Sequence, residues 1–277
     1  MSGRPYAEVI GDPIVHSKSP LIHNFWLGKL GIDAEYRACH IRPDELTDYF
    51  ARRRGDADWR GCNVTMPHKA AAMTSVDLLN SWAEKIEAVN TVIPIAGDLA
   101  GSNTDVFGVL SALPADLMPS GSEVCILGTG GAARAAFAAC KQRDVSLVHN
   151  SSRRPDKGRE LLERFNLGGS SRDLADEHNI QTAEVIINAT PLGMTGGSSM
   201  PPTVLDHMRD PMPGAIVMDM VYNPLETEFL RVAAEAGCRT IDGLAMLIGQ
   251  AAAAFENFFG QPAPREHDAE LRALLFG

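Results

Sequence analysis

The sequence predicts an α/β protein of two domains, the second built on a doubly wound parallel sheet. Three observations carry this. Strand-like apolar runs alternate with helical segments along most of the chain, the pattern of βαβ units. At 277 residues, the chain has room for two domains of ordinary size. Near residue 120 the character changes. There Glu123-Val-Cys-Ile-Leu127, a short apolar run of the kind found in buried parallel strands, enters a glycine-rich turn and an alanine-rich helix.

In chain order, residues 6–10 predict a strand that ends at the turn signal Gly11-Asp12-Pro13. Ser19-Pro20 predicts a helix to about Leu30, with Ser19 as N-cap and Pro20 at the first helical position. Residues 35–41 predict a strand, 43–54 a helix and 61–64 a third strand. Pro67 is expected to open another helix, because its missing N–H would be unpaired there anyway. Residues 88–94 predict a strand, 99–105 a loop, and a helix starts near Val106. Beyond residue 120, strands are expected at 123–127, 145–149, 185–188, 215–220 and 239–241, with helices at 155–165 and 226–236. A long apolar helix over 244–259 and a helical tail over 269–276 close the chain.

Hydrophobic residues make up 45% and charged residues 22%, the balance of a globular protein. The formal net charge of −10 argues against nucleic acid or an anionic membrane as partner. A small anion can still bind where the site is locally positive. The five cysteines are scattered, without a C-x-x-C pair, and are expected as reduced, buried thiols. No apolar run approaches ~18 residues, so no membrane span is expected. Gly11, Asp12 and Pro13 interrupt the N-terminus too early for a signal peptide, and a cytoplasmic protein is expected. No His/Cys/Asp spacing suggests a metal.

Gly128-x-Gly130-x-x-Ala133 fits the G-x-G-x-x-G/A pattern between a strand and a helix, the context a dinucleotide site requires. The first glycine makes the turn, the second admits a pyrophosphate, and the helix N-terminus holds its charge. Gly128, Thr129, Gly130, Gly131 and Ala132 are the candidate phosphate cradle. An NAD site usually puts an acid at the end of the next strand. Here that end is His149-Asn150-Ser151-Ser152-Arg153-Arg154, with no acid until Asp156. Hydroxyls and arginines would bind a 2′-phosphate, so NADP(H) is the expected cofactor, with a solvated basic loop as the plain alternative.

The segment Asn63-Val64-Thr65-Met66-Pro67-His68-Lys69 carries the strongest chemical signal. In a Pro67 helix, Lys69 would fall in the first turn, where the helix dipole disfavours a cation. A lysine there suggests a residue kept for chemistry or for holding an anion. Asp105, at the start of another helix, is its natural partner, although a first-turn acid that only complements the dipole is the plain alternative.

The motifs together resemble the shikimate dehydrogenase family. They are Gly11-Asp12-Pro13-Ile14 with Ser17-Lys18-Ser19-Pro20; Asn63 to Lys69; Ala88-Val89-Asn90-Thr91; Gly101-Ser-Asn-Thr-Asp105; Gly128-Thr-Gly-Gly-Ala132; Asn188-Ala-Thr-Pro-Leu-Gly-Met194; Asp219-Met-Val-Tyr222-Asn-Pro224; and Gly243-Leu-Ala-Met-Leu-Ile-Gly-Gln250. The resemblance implies NADP-dependent, reversible reduction of the 3-dehydroshikimate ketone to shikimate. Lys69 and Asp105 would be the acid–base pair beside the reacting oxygen; such a pair titrates as a unit, so which member carries the proton stays open. Ser17, Ser19 and Tyr222 would meet the substrate carboxylate. Thr65, Asn90 and Gln250 would meet ring hydroxyls or the reacting oxygen. Thr190, Met220 and Gly243 would line the cofactor with the glycine cradle and residues 150–154.

The resemblance also implies an N-terminal α/β substrate domain over 1–105, with the C-terminal helices (243–277) returning to it. A Rossmann-like dinucleotide-binding domain over 106–242 would lie between these segments in the chain. The active site is expected in the cleft between them, in a monomer or homodimer. Two departures stand out. The NADP loop commonly reads Asn-Arg-Thr, whereas here it is Asn150-Ser151-Ser152, so Arg153 or Arg154 must substitute for the missing arginine. Glu87 replaces a common glycine. A quinate or quinate/shikimate dehydrogenase using NAD(H), and a non-catalytic NADP-binding sensor, are the competing readings.

Overall fold

The computed structural model describes residues 3–174, 176 and 178–276. The chain forms two compact units, Met1–Thr104 with Gln250–Gly277, and Asp105–Gly249.

The first unit holds strands β1 (Tyr6–Gly11), β2 (Glu35–His40), β3 (Trp59–Val64), β4 (Leu78–Leu79), β5 (Thr91–Ile95) and β6 (Asp98–Ser102). Its helices before residue 105 are α1 (Ser19–Leu30), α2 (Leu46–Arg54) and α3 (Ser81–Ile86). The sheet order is β2-β1-β3-β5-β6-β4. β1 runs parallel to β2 and β3, and β5 runs antiparallel to β3 and β6. Tyr6, Ile10, Tyr49, Phe50, Trp59 and Val92 form part of its core. β1 also carries one buried charge. Glu8 accepts hydrogen bonds from Arg53 Nε (2.8 Å), Arg37 Nε (3.0 Å) and Tyr49 Oη (2.8 Å), so the carboxylate is paired rather than stranded.

Three local expectations are overturned here. The strand expected from residue 88 begins at Thr91, because the amides of Ala88, Val89 and Asn90 donate instead to Ala83, Lys69 and Ser102 carbonyls. The expected loop over 99–105 is largely strand β6. A two-residue turn, Ala96-Gly97, with both φ positive, folds it back onto β5. Pro67 opens no α-helix. Residues 66–70 form turns, followed by a single 3₁₀ turn at Ala71–Thr74. The backbone there is bonded elsewhere: Thr65 N–H to Ile10 O, His68 N–H to Thr65 O, and Val89 N–H to Lys69 O.

The second unit is a six-stranded parallel sheet. Its strands are β7 (Glu123–Leu127), β8 (Leu147–Ser151), β9 (Gly169–Arg172), β10 (Val185–Asn188), β11 (Ile216–Asp219) and β12 (Arg239–Ile241), in the order β12-β11-β10-β7-β8-β9. Its helices are α4 (Asp105–Ala112), α5 (Gly131–Arg143), α6 (Pro155–Phe165), α7 (His178–Thr182), α8 (Pro202–His207) and α9 (Glu228–Glu235). The winding direction reverses between β7 and β10, the switch point at which such sheets bind ligands. Cys125, Ile186, Val204, Val217 and Phe229 lie in its core. β8 starts two residues later than expected, since Val145 N–H is used to close α5 on Cys140 O.

Two helices end the chain, α10 (Gly243–Phe259) and α11 (Asp268–Phe276). The division between units falls inside α10, between Gly249 and Gln250. Gly249 packs on α4, where a Cβ would come within 2.7 Å of Ser111 Cβ. The cysteines are all free, with Cys62, Cys125 and Cys140 buried. Among the described residues, no helix is long and apolar enough to cross a membrane.

Candidate functional site

In the first unit, the motif residues gather at the carboxyl ends of β1 and β3. Gly11 closes β1 where the next segment crosses tightly. A Cβ there would lie 2.6 Å from Thr65 Cγ2, so only glycine lets Thr65 and Met66 pass. Asp12 N–H donates to Met66 O, locking the two turns together. Ser19 is not the N-cap of α1. The helix starts at Ser19 itself, Lys18 holds the cap position without a side-chain bond, and Ser17 Oγ accepts from Ser19 N–H at 3.3 Å. Ser17 thus does the work expected of Ser19.

Lys69 is half-buried in the turn after Pro67. The helix-dipole argument for it fails with the missing helix; what remains is a lysine on a segment pinned from both sides. His68 beside it is buried, its Nε2 2.6 Å from Ile41 O, a packing role. Asp105 is buried at the first position of α4.

The most constrained residue is Asn90. Its Oδ1 accepts from Thr104 N (2.7 Å), Thr104 Oγ1 (3.2 Å) and Thr91 Oγ1 (3.0 Å). Asn103 Nδ2 donates to Ala88 O at 2.9 Å. The 88–91 segment therefore holds the backbone that leads into Asp105, while Val89 holds Lys69 O. Gln250 joins with its Oε1 3.5 Å from the same Thr104 Oγ1. Sequence reasoning left Asn63 and Thr104 without roles, though both stood inside quoted motifs; the signal was polar residues at the ends of apolar strands.

In the second unit, Gly128 has φ +104°, and a Cβ there would meet Thr190 Cγ2 at 2.9 Å, so the turn requires glycine. Gly130 and Gly131 face open space. Gly130 caps α5 without a side chain, which leaves the helix N-terminus accessible between half-buried Thr129 and Ala132. Asn150 is wholly buried, and its Nδ2 donates to Ile126 O (2.9 Å) and Gly128 O (2.7 Å). Asn150 thus shapes the glycine turn from beneath. Ser151 is buried as well, its Oγ accepting from Asn179 Nδ2 at 3.0 Å. Ser152 Oγ is buried without a protein partner, next to the exposed Arg153 and Arg154. This is a donor set suited to a phosphate ester. The residues therefore fit an NADP-type dinucleotide.

Asp219, to which sequence reasoning assigned no role, organises the rest of this edge. Its carboxylate accepts from Asn188 Nδ2 (2.9 Å), Val221 N (2.9 Å) and Thr227 Oγ1 (2.6 Å). Burial pushes its pKa up to about 6, against the pull of those three donors. Asn188 Oδ1 in turn accepts from Thr190 N and Oγ1. Met220 N–H donates to Asn188 O, and Gly243 packs on Met220, where a Cβ would lie 2.5 Å from Met220 O. Thr190, Met220 and Gly243 are thus brought together. Tyr222 lies in the exposed segment that follows, with burial of part of its ring raising its phenol pKa.

Residues 9–92 match the family described as shikimate dehydrogenase substrate binding domain, and residues 243–270 match the shikimate 5′-dehydrogenase C-terminal domain. A curated relative from Sphingopyxis alaskensis, named shikimate dehydrogenase (NADP(+)), is 48% identical over 98% of this chain and 97% of its own. The Listeria monocytogenes shikimate 5-dehydrogenase, solved with shikimate and NAD, superposes with a TM-score of 0.88 at 32% identity. It covers 99% of this chain and 96% of its own. The Thermus thermophilus enzyme, solved with NADP(H) and shikimate, gives 0.86 at 32%, over 98% and 100%. By motif, fold and near full-length identity, the chain belongs to the shikimate dehydrogenase family.

Proposed function

We propose that this protein catalyses the reversible, NADPH-dependent reduction of 3-dehydroshikimate to shikimate in the cytoplasm, with residues 1–105 and 243–277 as substrate domain and 106–242 as cofactor domain. The observation that carries the reading is the hydrogen-bonded frame of residues 88–91. It pins Lys69 through its carbonyl and the approach to Asp105 through Thr104. A ketone that accepts hydride develops negative charge on oxygen and needs a donor there. When bound, NADPH supplies the hydride. Lys69 and Asp105 form the acid–base pair beside the ketone oxygen, and the pair supplies the proton. Ser17, Ser19 and Tyr222 hold the carboxylate, and Thr65, Asn90 and Gln250 read ring hydroxyls or the reacting oxygen. A site of this kind rejects analogues that lack a hydroxyl, because its own polar groups would go unpaired.

For the cofactor, Gly128 to Ala132 take the pyrophosphate, while Arg153, Arg154 and Ser152 take the 2′-phosphate. Thr190, Met220 and Gly243 line the nicotinamide end. Initial rates with NADPH or NADH against dehydroshikimate or dehydroquinate test the proposal. The expected preference is NADPH with dehydroshikimate. A preference for NADH with dehydroquinate overturns it in favour of a quinate dehydrogenase, and cofactor binding without turnover in any combination favours the sensor reading.

A further inference from the structure

The corner of the cofactor unit assigned above to the 2′-phosphate carries a third arginine, Arg172, which lies outside every motif. β9 is the edge strand beside β8, and the two run parallel, so both end on the side where the glycine turn lies. The backbone laces these ends together. Gly128 N–H donates to Ser151 O at 2.9 Å, and Ser152 N–H donates to Arg172 O at 3.1 Å. Arg172 closes β9 and pairs in register with Ser151. Its neighbours show which face it takes. Ser171 Oγ donates to Asn150 Oδ1 on one face (3.1 Å), while Ser170 Oγ lies 3.0 Å from His149 Nδ1 on the other. Side chains alternate along a strand, so Arg172 shares a face with Ser170 and with Ser151 across the ladder.

Ser151 itself brings no charge to this corner. It is buried, and its hydroxyl accepts from Asn179. Arg153 and Arg154 follow on the exposed loop. Arg172 adds a guanidinium from the neighbouring strand, about 4.8 Å away in the sheet. Its partner within the chain is a weak competitor. Arg172 Nη1 lies 3.3 Å and 3.5 Å from the Asp176 carboxylate oxygens, long for a charged pair, and the two side chains are 45% and 34% exposed. A solvated pair of this kind is held loosely. A phosphate ester carries up to two charges and three acceptor oxygens, and a guanidinium can meet it with two parallel N–H donors. The Ser152 hydroxyl, buried without a protein partner, offers a further donor at the same corner.

We propose that Arg172 is a further cofactor-binding residue: its guanidinium leaves Asp176 and, with Ser152, Arg153 and Arg154, holds the 2′-phosphate, which makes it a determinant of NADPH over NADH. This rests on the NADP-dependent function proposed above and extends its phosphate site from one strand to two.

Dissociation constants of NADPH and NADH, read by fluorescence titration of the whole chain, test it. NADH lacks only the 2′-phosphate, so it reports any general damage to the fold or to the adenosine site. Arg172→Met keeps a long side chain and removes the charge. It should weaken NADPH about tenfold or more and leave NADH within about twofold. Arg172→Lys keeps the charge but not the planar fork and should recover part of the loss. Asp176→Asn removes the competing carboxylate and should tighten NADPH by about two- to threefold, with NADH unmoved. Unchanged NADPH binding in Arg172→Met, or an equal loss for both cofactors, overturns the phosphate contact. Weaker NADPH binding in Asp176→Asn overturns the exchange of partners. A wild-type protein that binds NADPH no tighter than NADH sinks the proposed cofactor, and the Arg172 contact with it; the other outcomes bear on Arg172 alone.

Discussion

Asp219 has no exposed surface, yet it is a carboxylate at the end of β11 that ties the end of β10 to two points of the β11–α9 connection. Its folded pKa of about 6 lies above the ordinary value of 3.8. A raised acid contributes stability that is fully present below its unfolded pKa and lost as pH rises through the folded one. The window is therefore about pH 4 to 6. The difference between 3.8 and about 6 corresponds to about 3 kcal/mol. Asp219→Asn cannot titrate. Urea denaturation of both proteins between pH 4 and 7.5 isolates the contribution of Asp219, because every other carboxylate is common to the pair. Wild-type stability relative to Asp219→Asn should improve by about 2 to 3 kcal/mol as pH falls from 7 to 4. The Asn variant keeps an acceptor for Val221 N–H, so the loops stay tied. Parallel pH profiles would refute the reasoning, and a gap that widens toward high pH would reverse its sign.

Lys69→Ala should lower kcat by about 100-fold or more, with NADPH affinity by fluorescence titration little changed, as expected for loss of one member of the acid–base pair. Unaltered turnover would remove Lys69 from the chemistry. Glu87 caps α3 at φ 54° and ψ 44°, a left-handed conformation that costs a side chain more than glycine. Glu87→Gly should therefore raise stability, by up to about 1 kcal/mol in a melting experiment, and a lowered Tm would contradict this. Removing the Glu8 carboxylate with Glu8→Ala leaves Arg53 facing a buried gap. It should cost about 3–5 kcal/mol in urea denaturation, and a loss under 1 kcal/mol would mean that water replaces the partner.

The second unit was largely legible from sequence because its signals are local. The apolar strand Glu123–Leu127, the glycine turn and the helix after it are specified by neighbours in the chain, and a parallel sheet follows from their repetition. The region of Lys69 was legible only as a motif. Its conformation is set by partners far away in sequence, Ile10, which accepts from Thr65 N–H, and Val89, whose N–H takes the Lys69 carbonyl that a helix would have used. Strand β6 was missed for a related reason. Its polar ends resemble a loop until β5 supplies the opposite edge, and Ala96 is an uncommon residue at the positive φ of the turn.

What the sequence by itself determined is the type of each unit, the phosphate-turn geometry, the absence of an acid after β8 and the set of residues from which a site could be built. The tertiary structure alone decided how those residues are held. Asn90 oxygen faces Thr104, Asn150 braces the glycine turn from below, Ser17 rather than Ser19 serves the start of α1, and Asp219 ties the cofactor edge together. The reason is physical. Helix and strand preferences act over a few residues, whereas a buried polar atom must find its partner wherever the fold brings one.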